Sequence, residues 1–406
     1  MLGTAALVLA AALSGAPAAP AASARYDANT VVVKYAAHAP AAQRSLAART
    51  AGVLETLGRV TGAGAQVVRV TGDPAAVSAR LNRSRAVLYA EPNFIYRAKA
   101  APNDPLFARQ QGLSAIAAPA GWDAGGLGSF PAEGGAKIGI VDTGIAAGHE
   151  DFAGKVVACA GVRSFGLNVL NLLTLPILLD PAIAPGRCAD DNGHGTHVAG
   201  IAAALANNGR GIAGVSFHSP LAICKALDAK GAGSLAGIAN CVTYLSGQGA
   251  KVISMSLSST SNSRALADAV AAATASGSLI IAAAGNTGGT ALNYPAAYPQ
   301  VVSVAALDNN GANAAFSTAN EDVEVAAPGV GILSTWLDGG YRSLSGTSMA
   351  TPHAAGAAAL IAARNPAGGP AAWRSRLDSA VDDVGPPGRD PIFGFGRVNL
   401  QKALAP

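Results

Sequence analysis

Charged and aromatic residues are scarce in this chain of 406 residues: Asp, Glu, Lys and Arg make up 13% of it, and Phe, Trp and Tyr 5%. The formal net charge is only +4, and no basic stripe is interleaved with aromatic side chains, so the sequence does not indicate a nucleic-acid-binding surface. So few charges predict a surface with little ion pairing. Hydrophobic residues make up 50%, which excludes a disordered chain and allows a large core.

Long apolar runs are also missing. After the N-terminal segment, no stretch reaches the ~18 uninterrupted apolar residues of a membrane-spanning helix, so we predict no span. Residues 1–24 combine an apolar core at 5–13 with the small residues Ala22-Ser23-Ala24, a pattern typical of a cleaved secretory signal. No Lys or Arg precedes the core, and a short buried helix is the alternative. We expect a secreted protein, extracellular or periplasmic.

Cysteine is limited to four residues, whose spacing does not match a zinc site. An even number in an exported chain predicts two disulfides, for which three pairings are possible. We favour the sequential pairing, Cys159 with Cys188 and Cys224 with Cys241, because each bond then closes a local loop. On the loop-entropy estimate each contributes ~3 kcal/mol. Free buried thiols are the alternative.

Two segments of different character follow the N-terminal stretch. Residues 25–100 are predicted to form a small α+β unit with strands at 30–35, 65–70 and 86–96, and helices at 41–53 and 73–81. Asp73 caps the second helix and Pro74 takes its first position. The order β-α-β-β-α-β fits if the last segment splits or an edge strand has been missed.

From residue 101 to 406, apolar strands alternate with helical segments. The predicted strands are 137–141, 221–227, 252–257, 279–283 and 301–305, and the predicted helices are 194–205, 235–246, 264–276 and 348–365. Continuously apolar strands between helices indicate an α/β fold, a mostly parallel sheet with helices on both faces. Ligands bind such sheets at the carboxyl ends of strands, and Asp142 ends the first strand.

Three short motifs carry the chemistry: V-D-T-G at 141–144, N-G-H-G-T-H at 192–197, and S-G-T-S-M-A-T-P-H at 345–353. They supply an Asp, a His and a Ser, the orienting carboxylate, the base and the nucleophile of a serine hydrolase. The chain order Asp, His, Ser is one of the known orders for this geometry. Ser348 also begins an apolar helical segment, where free N–H groups suit an oxyanion.

Other interpretations of these motifs fail on specific residues. D-T-G is also an aspartic-protease signature, but that chemistry needs two such loops and the sequence has no second one. A zinc site at His194 and His197 usually needs Glu after the first His, where Gly195 stands. The α/β-hydrolase elbow G-x-S-x-G would place its His well after Ser348, and only His353 follows.

The motifs resemble the catalytic signatures of the subtilases, the subtilisin-like serine proteases, across residues 102–406. Residues 25–100, with Y-A-E-P-N at 89–93, resemble a subtilase propeptide, and maturation is expected near 97–102. The resemblance implies a subtilisin-like fold preceded by a ferredoxin-like propeptide that assists folding and then inhibits. It also implies Ser348 as nucleophile, His194 as base, Asp142 as its partner, and Asn286 as the oxyanion donor.

Substrate contacts follow from the same resemblance. Gly231 and Gly233 are expected on one side of an extended peptide and residues 256–258 on the other, offering backbone hydrogen bonds. The substrate-binding set is Gly231, Gly233, Ser256, Leu257, Ser258, Ala284, Gly285 and Asn293, the last as the pocket base. These stretches contain no acid, which predicts broad or apolar primary specificity.

The resemblance implies a calcium site as well, although the chemistry itself needs no cofactor. Asp151 and the loop N-N-G-R-G-I at 207–212, with Asn208, resemble ligand positions that Asp104 or Gln110 could complete. A hydrogen-bonded loop without an ion is the alternative.

We therefore expect a secreted serine endopeptidase made as a proenzyme, a monomer whose partners are protein or peptide substrates and its own propeptide. A catalytically inactive binding protein on the same fold and a lipase-like esterase are the alternatives. The leucine-rich segment 168–180 either packs on the domain or forms an exposed apolar patch.

Overall fold

The computed structural model describes residues 26–95, 101–162 and 182–405. The predicted signal segment 1–24 and the leucine-rich segment 168–180 lie outside these residues. The described chain forms two compact units, residues 26–95 and 101–405. No helix within the described ranges has the length and apolar character needed to cross a membrane.

The N-terminal unit is an antiparallel four-stranded sheet with two helices. Its elements are β1 (Tyr26–Tyr35), α1 (Ala41–Ala51), β2 (Val53–Val60), β3 (Ala65–Val70), α2 (Pro74–Leu81) and β4 (Val87–Phe94). The strand order β2-β3-β1-β4 makes a ferredoxin-like βαββαβ unit. Asp73 caps α2 by accepting hydrogen bonds from the N–H groups of Ala75 and Ala76, as predicted.

Strand β2 is the edge strand that the sequence pattern did not reveal. The prediction continued helix α1 to residue 53, whereas the chain turns at Gly52, in the left-handed conformation, and enters β2. Leu54 and Leu57 of β2 are exposed, so this strand lacks the regular alternation of buried and exposed residues that marks a half-buried strand. The unit's core lies on β1, β3 and α2, with Val31 and Leu81 fully buried.

The larger unit is built on a sheet that has ten strands in the part of the chain the structure describes. Its strands are β5 (Ile138–Asp142), β6 (Val156–Val162), β7 (Ile183–Pro185), β8 (Leu221–Lys225), β9 (Val252–Met255), β10 (Leu279–Ala283), β11 (Val301–Leu307), β12 (Val323–Pro328), β15 (Val381–Asp382) and β16 (Arg397–Val398). A separate hairpin is formed by β13 (Ile332–Thr335) and β14 (Tyr341–Leu344).

The ten strands run in the order β15-β16-β12-β11-β10-β9-β5-β8-β6-β7. From β16 to β6 every neighbouring pair is parallel, and only the edge strands β15 and β7 are antiparallel. The helices are α3 (Gln111–Ala115), α4 (Ala118–Ala124), α5 (His194–Ala203), α6 (Leu235–Gly247), α7 (Arg264–Ala275), α8 (Thr347–Arg364), α9 (Gly369–Ser379) and α10 (Leu400–Leu404).

Helices cover both faces of this sheet, which confirms the predicted fold class. Ile138 and Ile140 of β5 pack in the core that contains α5 and α8, while Val141 packs in the core that contains α6 and α7. Because successive side chains point to opposite faces, a strand buried on both sides must be apolar throughout. All five residues of β5 are buried.

Both disulfides have the sequential pairing. Cys159 of β6 is bonded to Cys188, two residues before Asp190, and Cys224 of β8 is bonded to Cys241 of α6. The second bond therefore ties a strand beside β5 to the helix that covers it.

Candidate active site

The three motifs meet at the carboxyl end of the central strands. Asp142 is the last residue of β5, which lies between β8 and β9, and His194 is the first residue of α5. Ser348 is the second residue of α8, which begins at Thr347, one residue earlier than predicted. Small residues allow this close approach, because a Cβ on Gly195 would collide with the Gly144 carbonyl, and one on Gly193 with the Trp336 ring.

Asp142 and His194 form a hydrogen-bonded pair. His194 Nδ1 lies 2.8 Å from Asp142 Oδ1, with the carboxylate fully buried and the imidazole 26% exposed. A carboxylate only accepts hydrogen bonds when ionised, so Nδ1 carries the proton and Nε2 keeps a free lone pair. Burial lowers the pKa of His194, but the charge and hydrogen bond of Asp142 and the charge of Asp190 outweigh it, so the pKa is raised.

Ser348 exchanges two hydrogen bonds with Ser256. Its hydroxyl donates to the Ser256 carbonyl at 3.2 Å, and the Ser256 hydroxyl donates to the Ser348 carbonyl at 2.9 Å. The Ser348 hydroxyl is thus directed at a carbonyl rather than at His194. Nucleophile–base hydrogen bonds are commonly loose in unliganded sites, and rotation about χ1 redirects this hydroxyl.

The side chain of Asn286 is oriented by Thr347, the first residue of α8. Its Oδ1 accepts hydrogen bonds from both the N–H and the hydroxyl of Thr347, each at 2.8 Å. The amide nitrogen is left to face the open side of Gly346: a Cβ built there would lie 3.4 Å from Asn286 Nδ2 and 3.6 Å from Ser348 N. The two donors expected for an oxyanion therefore border one space.

A cleft of about 750 Å³ opens beside this site. Thr143, Asn192 and His194 are among the residues that line it. The predicted substrate-binding residues Gly231, Gly233, Ser256, Leu257 and Ser258 also line it. Sequence reasoning missed much of the apolar wall, to which Leu227, Leu235, Ile238, Leu266 and Tyr294 belong.

The other predicted pocket residues form a neighbouring cluster that does not line this cleft. Ala284 and Asn293 are buried, and Gly285, in the left-handed conformation, lies directly against the Asn293 side chain. Asn293 Nδ2 donates to the Ala291 carbonyl at 3.1 Å and to the Thr318 hydroxyl at 3.4 Å. Asn293 is therefore held by neutral partners.

The predicted calcium ligands lie together. Asp104 accepts hydrogen bonds from the N–H groups of Asn207 and Asn208, at 2.7 and 3.1 Å. Asp151 accepts from the Asn208 amide and the Tyr341 hydroxyl, each at 2.9 Å. Burial is the main cause that raises the pKa of both carboxyls, and the charge of Asp151 raises that of Asp104 further.

Asp104 and Asp151 carry the carboxylate oxygens that Ca²⁺ takes, whereas Asn208 turns its Nδ2 to Asp151 and accepts from Arg210 N with its Oδ1. Two buried carboxyls that raise each other's cost of ionisation form an environment that a cation would stabilise. The group holds only two acids, and the described residues contain no cluster of three or more His, Cys, Asp or Glu suited to a metal. Gln110 cannot complete the site, because its amide binds the N–H and carbonyl of Ala213.

His197 lies outside the reacting groups. Its Nε2 contacts the carbonyls of Ile332 and Arg342, at 3.0 and 2.9 Å, so it joins α5 to the β13–β14 hairpin. Burial lowers its pKa to about 4, which keeps it neutral. His197 therefore has a structural role.

Sequence reasoning missed one polar residue of the site, Asp190. Its carboxylate binds both Thr143, beside Asp142, and Thr196, in the first turn of α5. The signal was present: an acid stands four residues before His194, and a Thr follows Asp142. Neither residue reacts in the triad scheme, so the motif search did not select them.

Comparisons with known proteins agree with this geometry. The subtilase family matches residues 133–396, and the fervidolysin N-terminal prodomain matches residues 12–93. Thermitase from Thermoactinomyces vulgaris is 43% identical over 305 residues, which cover 75% of this chain and 99% of that protein. A thermophilic serine proteinase from Bacillus sp. strain AK1 is 36% identical, over 82% of this chain and 76% of that protein.

Solved structures give the same result. Proteases from Pseudoalteromonas arctica PAMC 21717 superpose with a TM-score of 0.64 at 29% identity, covering 75% of this chain and 98% of theirs. The S41 psychrophilic protease gives 0.59 at 36% identity, covering 66% and 92%. The chain therefore belongs to the subtilase family of serine endopeptidases and carries a fervidolysin-like N-terminal prodomain.

Proposed function

We propose that this protein is a secreted serine endopeptidase that hydrolyses peptide bonds through an acyl-enzyme on Ser348. The observation that carries the proposal is the 2.8 Å hydrogen bond between His194 and the buried Asp142, which leaves His194 Nε2 free to accept a proton. In this scheme His194 takes the proton of the Ser348 hydroxyl, the Ser348 oxygen attacks the carbonyl carbon, and the imidazolium then protonates the leaving amine.

The oxyanion formed in each step would accept hydrogen bonds from Asn286 Nδ2 and Ser348 N. Both donors border the space over Gly346, and Thr347 fixes the Asn286 side chain before any substrate arrives. Donors that are already in place cost no reorganisation when the charge develops, which is why they lower the barrier.

The primary specificity is proposed to be broad or apolar. The cluster of Ala284, Gly285 and Asn293 brings no acid to the pocket, so a basic substrate side chain finds no counter-charge there. The apolar wall of the cleft, Leu235, Ile238 and Leu266, favours apolar side chains elsewhere along an extended substrate. A strong preference for cleavage after Arg in a peptide library would contradict this specificity.

Secretion and self-inhibition complete the proposal. The apolar core and small residues of the segment 1–24 and the two disulfides support export to an oxidising compartment. The fervidolysin-like prodomain match supports synthesis as a proenzyme whose N-terminal unit inhibits the enzyme. We propose that the mature enzyme is a monomer.

A structural calcium ion is part of the proposal. Asp104, Asp151 and Asn208 would hold it, and its charge would offset the two buried carboxylates. Calcium would supply stability and no step of the chemistry.

Paired substrates test the proposal against its alternatives. The mature enzyme should hydrolyse casein but not a long-chain ester, and Ser348→Ala should abolish casein hydrolysis while leaving the fold intact by circular dichroism. Preference for the long-chain ester would favour a lipase-like esterase. Casein hydrolysis by Ser348→Ala would refute the assignment of the nucleophile.

A further inference from the structure

Asp190 occupies the centre of a hydrogen-bond network beside the candidate active site. Its Oδ1 accepts from the Thr143 hydroxyl at 2.9 Å, from Asn192 N at 3.0 Å and from Gly193 N at 2.9 Å. Its Oδ2 accepts from the N–H of Thr196 at 2.9 Å and from the Thr196 hydroxyl at 2.6 Å. A carboxylate offers about four lone-pair positions, so this one is saturated with donors.

These bonds join two elements that must keep a fixed distance. Thr143 follows Asp142 at the end of β5, and Gly193 and Thr196 begin α5, which carries His194. The two threonines extend the link, because the Thr143 hydroxyl accepts from Gly195 N at 2.8 Å and the Thr196 hydroxyl accepts from Ala146 N at 2.9 Å. Asp190 thus connects the loop after β5 with the first turn of α5.

The orientation of Asp142 depends on that loop. Asp142 Oδ1 accepts from Thr143 N at 2.7 Å and pairs with His194, whereas Oδ2 is buried without a hydrogen-bond partner among the described residues. Besides the bond to His194, the hydrogen bond that fixes the Asp142 carboxylate therefore comes from Thr143, the residue that Asp190 holds. A displaced Thr143 would change the angle at which Asp142 meets the imidazole.

The charge of Asp190 acts in the same direction. Burial works against its ionisation, but the hydrogen bonds from Gly193, Thr196 and Asn192 outweigh it and lower the pKa of Asp190, so it remains negative at neutral pH. This charge adds to that of Asp142 in raising the pKa of His194. Nearby Asp191 is paired with Lys225, whose Nζ also binds the Thr143 carbonyl, and His197 is neutral.

We propose that Asp190 is a positioning residue of the catalytic apparatus: through Thr143 it fixes Asp142, and through Thr196 and Gly193 it fixes the start of α5. The inference rests on the proposed roles of Asp142, His194 and Ser348. It adds a fourth side chain that acts on the reaction without contacting the substrate.

The test compares Asp190→Asn and Thr143→Val, singly and together, in the mature and active-site-titrated enzyme. Misplacement of reacting groups typically costs up to about 100-fold, so Asp190→Asn should lower kcat by about 10- to 100-fold with a change in KM of no more than about 3-fold. The acid limb of the kcat/KM profile should move to lower pH, because the imidazolium loses a favourable charge. If Asp190→Asn lowered activity only by disturbing the local structure, the acid limb would stay at the same pH.

Two further variants sharpen the comparison. Thr143→Ser keeps the hydroxyl and should restore most of the activity that Thr143→Val loses. Asp308→Asn is the matched control, since Asp308 also holds a turn by accepting the N–H groups of Asn310 and Ala312, at 2.8 and 2.9 Å. It should leave kcat and the acid limb unchanged.

The double variant decides whether the two residues act together. If Asp190 works through Thr143, the factor by which the double variant lowers kcat should be much smaller than the product of the two single factors. A kcat within about 2-fold of wild type for Asp190→Asn, an unmoved acid limb, or fully multiplicative losses would overturn the inference. If Asp190→Asn does not fold, the Thr143 variants test the link itself, and activity of Thr143→Val equal to that of Thr143→Ser and the wild type would overturn the inference. Activity of Ser348→Ala would instead refute the proposed function.

Discussion

Single residues determine when this site can act as a base. His194 accepts a proton only when neutral, and Asp142 and Asp190 raise the pKa of its imidazole despite its burial. The same two acids are what make the ring a stronger base than an isolated imidazole. The residue-scale predictions concern this base and the oxyanion donors.

The first prediction concerns pH. Because the pKa of His194 is raised above its ordinary value of 6.5, activity should be lost as the pH falls through that higher value. The acid limb of kcat/KM for a neutral peptide substrate should therefore lie above pH 6.5. An acid limb well below that value would mean that burial, and not the two acids, dominates the environment of the imidazole.

The second prediction concerns Asn286. Asn286→Ala should lower kcat by about 10²–10³-fold with little change in KM, since the donor is used mainly in the transition state. Thr347→Val is the matched comparison: it removes one of the two hydrogen bonds to Asn286 Oδ1 and keeps the backbone one. It should cost less than about 10-fold. If Asn286→Ala raised KM by as large a factor as it lowered kcat, Asn286 would also contribute to binding of the substrate in the ground state.

The sequence predicted the candidate triad but not Asp190, whose carboxylate links the loop after Asp142 to the helix that carries His194. Asp142, His194 and Ser348 stand in short motifs, and each motif's neighbours restrict its chemistry. The importance of Asp190 arises only in three dimensions, where its carboxylate meets Thr143, 47 residues away in the chain. Its sequence signal, an acid four residues before His194, does not by itself indicate a contact with Thr143, so the motifs did not select it.

At the scale of elements, helix α9 is attached to the sheet by a charged cluster. Arg374 forms a two-pronged ion pair with the buried Glu324 of β12, at 2.6 and 2.5 Å. Burial and the neighbouring Glu324 raise the pKa of Asp378, also on α9, to about 8, whereas Arg374 and Arg389 lower it. Asp378 is thus protonated in the folded protein where an unfolded chain would have lost the proton.

The third prediction follows from that difference. The folded state binds one more proton than the unfolded state between about pH 4 and pH 8, so stability falls as the pH rises through this window and stays low above it. Asp378→Asn should therefore raise the free energy of unfolding at pH 9 by about 1–2 kcal/mol, with the gain vanishing near pH 4. Urea unfolding in the Ser348→Ala background, which prevents autolysis, measures it.

Asp382 is a control because its pKa is shifted in the opposite direction to that of Asp378. Although it is partly buried, its ion pairs with Arg397 and Lys402, both at 3.0 Å, lower its pKa, so its stabilisation is present above about pH 4. Asp382→Asn should destabilise the protein at pH 9. An equal loss of stability in both variants would contradict the assignment of the raised pKa to Asp378.

The elements of the larger unit that were predicted from the sequence have the observed type, but β6, β12 and α9 were not among them, and the predicted ends agree less well. Strand β10 was predicted with its observed bounds because five apolar residues lie between clear turns, whereas β8 and β9 end two residues earlier than predicted. Both predicted strands extended into the loops that follow them, where the apolar residues Leu227 and Leu257 line the cleft. Hydrophobicity alone does not separate a buried strand from an apolar cleft wall.

At the scale of the whole molecule, the fourth prediction concerns calcium at Asp104, Asp151 and Asn208. Removing calcium with a chelator should lower the melting temperature of the Ser348→Ala protein by several degrees, and Asp151→Asn should abolish that dependence. An unchanged melting temperature would favour the hydrogen-bonded loop without an ion, which the contacts among these residues also support.

The most direct test of the account is covalent labelling of the nucleophile. A fluorophosphonate should label the mature wild-type enzyme once, and peptide mass spectrometry should place the adduct on Ser348. Ser348→Ala should take up no label. Asn286→Ala should react more slowly, because the phosphoryl oxygen of the reagent loses a hydrogen-bond donor. No labelling of the wild type, or an adduct on another residue, would contradict the central claim.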